Sequence, residues 1–388
     1  MRLRLRRQIR NLLAHPVIQT LLFERLLIMA SATLAFAELA MGHVRLSEIP
    51  GLLDARLLSL FFVLTIAVEL GKDSDLFDLA VAQTVRRVRT SRALAAAMIA
   101  LTALTAALLT NDVALFLVVP FTNLFRRVSD MDLAPLVVLE IAAANLLGAV
   151  TPIGSPQNLF LYARGRFSLL SFLEAQLPFV VGSIVLLAML VPLIVPRRRF
   201  EPPETARFDL DPLLAGAFFV LLGLEIAALA GVVSWEIPLG LSLAGAVLLG
   251  KRLREADFSL VFVFAFLFIG IEGLRRGRLY HVLDPERIFG HGPAGLLLSG
   301  ALLSQFVSNV PAAMLLAPTV TTSQGFLGLL WGVNAGGCGT PIASLANLIG
   351  AQLFLREGGS QRSFWRLFSA TTFLLLIALV LFCLALLT

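Results

Sequence analysis

The sequence predicts an all-α polytopic membrane fold built as two inverted repeats, each supplying a re-entrant hairpin and a discontinuous helix. Three observations carry that expectation. The chain is strongly apolar, its basic residues gather in the gaps between apolar runs, and an internal repeat places polar motifs in the middle of apolar segments.

Of the 388 residues, 58% are hydrophobic and 14% charged, against about 45–50% and about 25% in soluble domains. Runs approaching the ~20 helical residues that cross ~30 Å of hydrocarbon recur throughout, so no separate soluble domain has room. The net charge of +6 does not indicate nucleic acid, because the arginines lie in short loops where they act as topology signals toward anionic lipid. The expected partners are the bilayer and a small-molecule anion or cation substrate, with no nucleic acid, and a homodimer is left open. Cys338 and Cys383 both lie in apolar segments, which excludes a disulfide framework or a paired zinc motif. His15, His43, His281 and His291 fall in surface segments, which argues against a histidine relay or metal cluster. No cofactor is expected.

Residues 1–24, with Arg2, Arg4, Arg6, Arg7 and Arg10, read as a basic cytoplasmic segment, and residues 25–388 as one membrane domain. Ala35-Phe36-Ala37 mimics a signal-peptide cleavage site, but the apolar run resumes after Glu38, so an uncleaved first helix is expected. Uninterrupted spans are expected at about 25–42, 55–71, 176–195, 210–229, 234–250, 256–272 and 365–387. The stretch 93–124 is interrupted by Thr110-Asn111-Asp112 and flanked on both sides by arginines, including Arg92 before it and Arg126 after it. It is too short for two spans and reads as a re-entrant hairpin; a second runs from 293 to 322 with Ser308-Asn309-Val310-Pro311 at its tip. The segments 133–163 and 327–355 are broken at Thr151-Pro152-Ile153-Gly154-Ser155-Pro156 and at Gly336-Gly337-Cys338-Gly339-Thr340-Pro341, which makes them discontinuous helices. A cytoplasmic N-terminus then puts 22 Lys and Arg inside and 8 outside, with Arg25 at a helix edge. That topology places the C-terminus outside and the chain, as a multi-pass protein, in the cytoplasmic (inner) membrane.

The repeat is visible without gaps. Residues 145–159, NLLGAVTPIGSPQNL, match 334–348, NAGGCGTPIASLANL, at eight of fifteen positions. Upstream, 110–120 aligns with 308–318 through Asn111/Asn309 and Pro120/Pro318, and Glu69 with Glu272. Repeat 1 covers about 25–195 and repeat 2 about 210–387; because 55–71 and 256–272 run in opposite directions, the repeat is inverted. Paired broken helices in inverted repeats point to a secondary active transporter with its site at the repeat interface.

Candidate substrate- and ion-binding residues are Thr110, Asn111, Asp112, Thr151, Pro152, Ser155, Asn158, Ser308, Asn309, Gly339, Thr340, Ser344 and Asn347. Freed carbonyls at the breaks and the tip asparagines Asn111 and Asn309 suit Na+, while half-helix N-termini attract anions. Capping is the plainer role for residues such as Asn111. Asp112 is the acidic residue at a tip, where a carboxylate inside the membrane points to coupling by H+ or Na+; its repeat partner is Val310. Glu69 and Glu272 lie near helix ends, and Glu140 and Glu225 inside helices as structural partners. Cys338 fits its break by its small size.

At these residues the chain resembles the ion transporter superfamily with the citrate-transporter-like domain, which includes divalent-anion/sodium symporters, arsenite permeases and sodium/proton antiporters. The resemblance spans roughly 25–387 and implies two re-entrant hairpins entering from opposite faces, their tips and the helix breaks binding ion and substrate. In the dicarboxylate branch both tips read Ser-Asn-Thr; here Asn111 and Asn309 carry over and the final Thr is absent from both. The acidic first tip looks more like the arsenite and sodium/proton branch. The function expected is alternating-access movement of a small anion, an organic carboxylate or an inorganic oxyanion, coupled to H+ or Na+. Sodium/proton antiport is the alternative. An intramembrane enzyme is disfavoured, since HExxH is absent and Ser155 and Ser344 have no visible base; a channel stays open as a third reading.

Overall fold

The computed structural model describes residues 16–125, 131–200, 208–250, 253, 256–277, 289–290 and 292–387. The basic residues Arg2 to Arg10, together with His15, Arg126, Arg127, His281 and His291, lie outside them. Among the described residues there are 17 α-helices and no β-strand. In chain order they are α1 (Pro16–Ala40), α2 (Ile49–Leu52), α3 (Ala55–Asp73), α4 (Leu76–Arg86), α5 (Ser91–Leu108), α6 (Asn111–Leu124), α7 (Ala134–Leu147), α8 (Pro156–Arg164) and α9 (Leu169–Ile194). The second half continues with α10 (Pro212–Leu229), α11 (Glu236–Leu249), α12 (Ser259–Arg276), α13 (Pro293–Val307), α14 (Asn309–Leu316), α15 (Ser323–Gly336), α16 (Leu345–Arg356) and α17 (Gln361–Leu387).

In both expected hairpin regions the two arms pack together, α5 against α6 and α13 against α14. Both expected breaks form as well, separating α7 from α8 and α15 from α16, each with a single 3-10 turn in the gap, Gly148–Val150 and Pro341–Ala343. The chain cannot continue as helix there because proline lacks the N–H and clashes with the preceding turn. The broken helices are the centre of the molecule, and all fourteen residues of α7 are buried. In each half the first hairpin arm packs along the broken helix, α5 on α7 and α13 on α15. The second contact is close enough to demand glycine: a Cβ at Gly328 would lie 2.0 Å from the Pro293 carbonyl oxygen, and one at Gly332 2.4 Å from that of Leu297. Small residues at such crossings let backbones approach and gain dispersion energy where lipid offers no hydrophobic drive.

Apolar side chains cover the outside. Leu177, Val181, Ile184 and Met189 on α9, Phe219 and Val220 on α10, Val247 on α11, and Leu374, Ile377 and Leu381 on α17 are all exposed, an arrangement suited to hydrocarbon and costly in water. Among the described residues four helices, α5, α9, α10 and α17, are long and apolar enough to cross a membrane, or five if α3 and the segment bent 65° before it form one span. The expected span at 234–250 is shorter in the structure: α11 has 14 residues, about 21 Å at ~1.5 Å per residue. Helix α4 was not among the expected elements, since its short amphipathic pattern carries no spanning signal.

Long-range ties join helix ends that are far apart in the sequence. Ser91 N–H donates to the Arg198 carbonyl at 2.9 Å and Asp211 N–H to that of Ser74 at 3.1 Å. Arg276 pairs with Glu48 at 2.6 Å, and Tyr162 hydroxyl donates to the Leu229 carbonyl at 2.5 Å. In each tie both partners come from segments expected on the same side.

Candidate functional site

Each hairpin tip docks onto the break of its own repeat. At the first tip Thr110 is extended and caps α6, its Oγ1 accepting from Val113 N–H at 3.3 Å. The next amide, Asn111 N–H, donates to the Gly154 carbonyl at 3.0 Å. At the second tip Ser308 has φ 75° and ψ 156° and makes no side-chain cap; its hydroxyl donates to the Ala343 carbonyl at 3.4 Å. Gly154 and Ala343 are equivalent in the repeat. Only in the first half must that residue be glycine, because a Cβ on Gly154 would sit 1.8 Å from the Gly148 carbonyl oxygen.

The break threonines are ties as well. Thr151 hydroxyl donates to the Ala107 carbonyl at 2.5 Å, and Thr340 hydroxyl to the Gln305 carbonyl at 3.0 Å. Ala107 and Gln305 stand at the same place, three residues before Thr110 and Ser308. In the second half the Gln305 side chain adds three bonds across the break, donating to the Gly336 and Cys338 carbonyls at 2.8 and 3.1 Å and accepting from Thr340 N–H at 2.9 Å. Gly339, with φ 103°, leaves room for it: a Cβ there would lie 2.3 Å from Gln305 Oε1. Pro152 is buried beside Thr151, and Ser155 and Ser344 occupy N-cap positions of α8 and α16 without capping them.

Four asparagines cross-link the repeats. Asn145 Nδ2 donates to Asn347 Oδ1 at 2.8 Å, and its repeat partner Asn334 donates to Asn158 Oδ1, also at 2.8 Å. All four are at most 2% exposed. Three are anchored to backbone: Asn347 Nδ2 donates to the Gly337 and Thr340 carbonyls at 2.9 and 3.1 Å, Asn158 Nδ2 to that of Ala149 at 3.4 Å, and Asn145 Nδ2 to that of Ile141 at 3.2 Å. Carbonyls only accept, so these contacts set the orientation of every amide in the two chains. In the first chain Asn111 Nδ2 closes on Asn145 Oδ1 at 3.1 Å, and Asn111 Oδ1 accepts from Asp112 N–H at 3.0 Å. In the second, the place of Asn111 at the Asn334 oxygen is taken by Gln157, whose Nε2 donates at 3.2 Å. Among the described residues Asn309 Nδ2 and Gln157 Oε1 are left buried with no hydrogen-bond partner.

Both tips and both second half-helices meet around a cavity of about 30 Å³ lined by Asn111, Asp112, Gln157, Ser308, Asn309 and Ser344, among others. The N-termini of α6, α8, α14 and α16 all lie here, so their partial positive charges converge. A second cavity of about 120 Å³ shares Asp112 and reaches Glu69, Lys72 and Asp257 on the side expected to be cytoplasmic. On the other side Arg164, Arg166, Arg275, Asp54 and Glu272 line a vestibule of about 500 Å³. Phe160 and Phe268, ring centroids 6.3 Å apart, line its inner end.

Of the candidates read from the sequence, Thr110, Asn111, Asp112, Ser308, Asn309 and Ser344 line these cavities. Thr151, Pro152, Asn158, Gly339, Thr340 and Asn347 lie behind them in the frame, and Ser155 Oγ is buried with no hydrogen-bond partner among the described residues. Glu140 is fully buried and accepts from Thr122 hydroxyl at 2.5 Å, while Glu69 pairs with Lys72 at 2.7 Å. No group of three His, Cys, Asp or Glu side chains suited to a metal ion occurs among the described residues. Sequence reasoning missed Gln157 and Gln305. Both sit at positions where the repeats disagree, opposite Ala346 and Ala107, and that mismatch is the signal that could have found them.

A profile of the family described as Citrate transporter matches residues 19–331. An uncharacterized transporter of Methanocaldococcus jannaschii is 33% identical over 300 residues, covering 76% of this chain and 79% of its own length. An inner membrane protein of Escherichia coli, YbiR, is 34% identical over 321 residues, 80% of each chain. A 46 kDa membrane protein of Mycobacterium leprae is 27% identical over 299 residues, covering 68% of this chain and 69% of its own.

Proposed function

The chain belongs to the citrate transporter family, and from that premise we propose that it is a secondary active transporter moving a small anion by alternating access, coupled to H+ or Na+. One observation carries the reading. Two repeat halves, each with its hairpin tip docked on its own helix break, are joined by a symmetric pair of asparagine bonds at 2.8 Å around a cavity lined in part by Asp112. A frame with internal two-fold likeness has two similar ways to rock about its centre, which is what alternating access requires. Converging half-helix N-termini favour the anion, and the Asp112 carboxylate supplies a place for the coupling H+ or Na+.

The vestibules support the same direction of thought. Arg164 and Arg166 form no ion pair among the described residues, so the vestibule on the expected outer side is basic and gathers anions. The inner cavity is acidic, with Glu69, Asp112 and Asp257 against Lys72. That acidity is also what sodium/proton antiport would use, and it keeps antiport as the second reading.

Proteoliposomes holding the purified chain, loaded with an imposed pH or sodium gradient, separate the readings. Accumulation of a labelled anion against its own gradient is the expected result. Sodium/proton exchange with no anion movement would establish antiport, and flux that only runs downhill would mean a channel. Orientation is checked in a chain without Cys338 and Cys383: a reporter cysteine beside Arg198 is expected to be labelled from the cytoplasm and one beside Arg276 from outside. Labelling of both from one side would sink the inverted repeat.

A further inference from the structure

We infer that Gln157 makes the site selective for a small oxyacid that still carries a hydroxyl, over an anion of the same shape that has none. The inference rests on the transporter reading above and adds a substrate class to it.

The argument starts from amide polarity. Ala149 offers only a carbonyl to Asn158, so Asn158 turns its Nδ2 that way and its Oδ1 toward Asn334. Asn334 must then donate to Asn158 and face Gln157 with its oxygen, and Gln157 must answer with Nε2. Each amide fixes the next, and Gln157 Oε1 is left over as the end of the chain. The equivalent chain in the first half ends inside the protein, on Asp112 N–H.

Among the described residues Gln157, 1% exposed and part of the lining of the central cavity, thus keeps a bare acceptor. The oxygen of Asn334 is occupied by Gln157, and among the described residues Asn309, 3% exposed and part of the same lining, keeps Nδ2 as a bare donor. An unpaired buried acceptor destabilises the site, and a ligand that satisfies it recovers that energy. A ligand oxygen without a proton does the reverse, setting two lone pairs against each other. The group that satisfies both atoms is a hydroxyl-bearing oxyacid, which accepts from Asn309 and donates to Gln157. The cavity of about 30 Å³ shares Asp112 with the neighbouring cavity of about 120 Å³, and a solute bound between them would lie within reach of both groups. The same carboxylate wall disfavours an anion with no proton to share.

Phosphate and sulfate are the probes, since both are tetrahedral and near neutral pH only phosphate retains an O–H. Calorimetric titration of the purified full-length protein at fixed ionic strength is expected to show phosphate binding at least about tenfold tighter than sulfate. Gln157→Ala installs the residue found at the equivalent Ala346, lets Asn309 return to Asn334, and is expected to reduce the preference to within about twofold. Gln157→Met, which keeps the volume and removes the acceptor, should do the same and serves if the alanine variant folds poorly. Equal affinities in the wild type, no binding of either probe, or a preference that survives both substitutions would overturn the inference. Gradient-driven accumulation of some other anion would in those cases leave the transporter reading standing, whereas no accumulation of any anion would remove both.

Discussion

The two hairpin tips occupy equivalent positions and are chemically unlike. The first is closed: Thr110 caps its helix, Asn111 is bonded at both ends of its amide, and its backbone N–H is held by Gly154. The second is open and strained, with Ser308 at φ 75° and Asn309 Nδ2 unpaired. Behind them the frame is nearly symmetric, since the threonine ties and the asparagine cross-links recur in both halves. Apart from the Gln305 bridge, which Ala107 cannot make, symmetry therefore resides in the parts that hold the halves together, and asymmetry at Asp112/Val310, Gln157/Ala346, Gly154/Ala343 and Thr110/Ser308.

The largest test of that contrast is at Gly154. Gly154→Ala drives a methyl against the Gly148 carbonyl, a backbone group that cannot swing aside. Destabilisation of about 3 kcal/mol or more is expected, at the upper end of over-packing, with loss of folded protein after detergent extraction. Ala343→Gly at the equivalent place should cost about 1 kcal/mol. Equal effects on the thermal midpoint would mean that the two breaks are built alike.

Asp112→Asn comes next and acts on function. An amide keeps the shape but cannot exchange a proton for a cation, so gradient-driven accumulation is expected to vanish while exchange of substrate across the membrane persists. Wild-type accumulation and pH dependence in reconstituted vesicles would reduce Asp112 to a helix-terminal residue.

Asn158→Ala and Asn347→Ala attack the symmetric part. The first leaves Asn334 Nδ2 without its acceptor, and the second strips the Gly337 carbonyl of its side-chain donor. Each is expected to cost about 2 kcal/mol, to leave insertion intact and to slow transport by loosening the two halves. Similar losses in the pair, read by thermal melts in detergent, would support equal roles; a loss in only one would show that the frame too is asymmetric.

How much of this was legible beforehand follows from the kind of signal involved. The breaks and tips were readable because proline and polar residues interrupt apolar runs at repeated spacings. The asparagines were readable as matches, but their partners were not: Asn145 meets Asn347 and Asn334 meets Asn158 across the repeat, and no local rule joins positions so far apart. Gln157 was passed over because matching rewards identity, and its role depends on differing from Ala346. Helix α4 escaped for want of length, and the shortness of α11 shows that an apolar run marks membrane proximity better than it marks helix ends.

The smallest effect is the most direct reading of the tips. Ser308 holds a φ of 75° with ψ of 156°, a region that glycine enters readily and other residues enter at about 1–3 kcal/mol. Ser308→Gly relieves that strain, and although glycine adds freedom to the unfolded chain, a net gain of roughly 1 kcal/mol is expected. Thr110 has φ −159° and donates nothing to strain, while its Oγ1 caps Val113 N–H at 3.3 Å. Thr110→Gly should therefore lower stability, by a few tenths for the cap and up to about 1 kcal/mol in all. Opposite shifts of the thermal midpoint at two equivalent positions are the expected outcome. A shift of the same sign in both would mean that Ser308 is held without strain, and the contrast between a closed and an open tip would then rest on side-chain bonding alone.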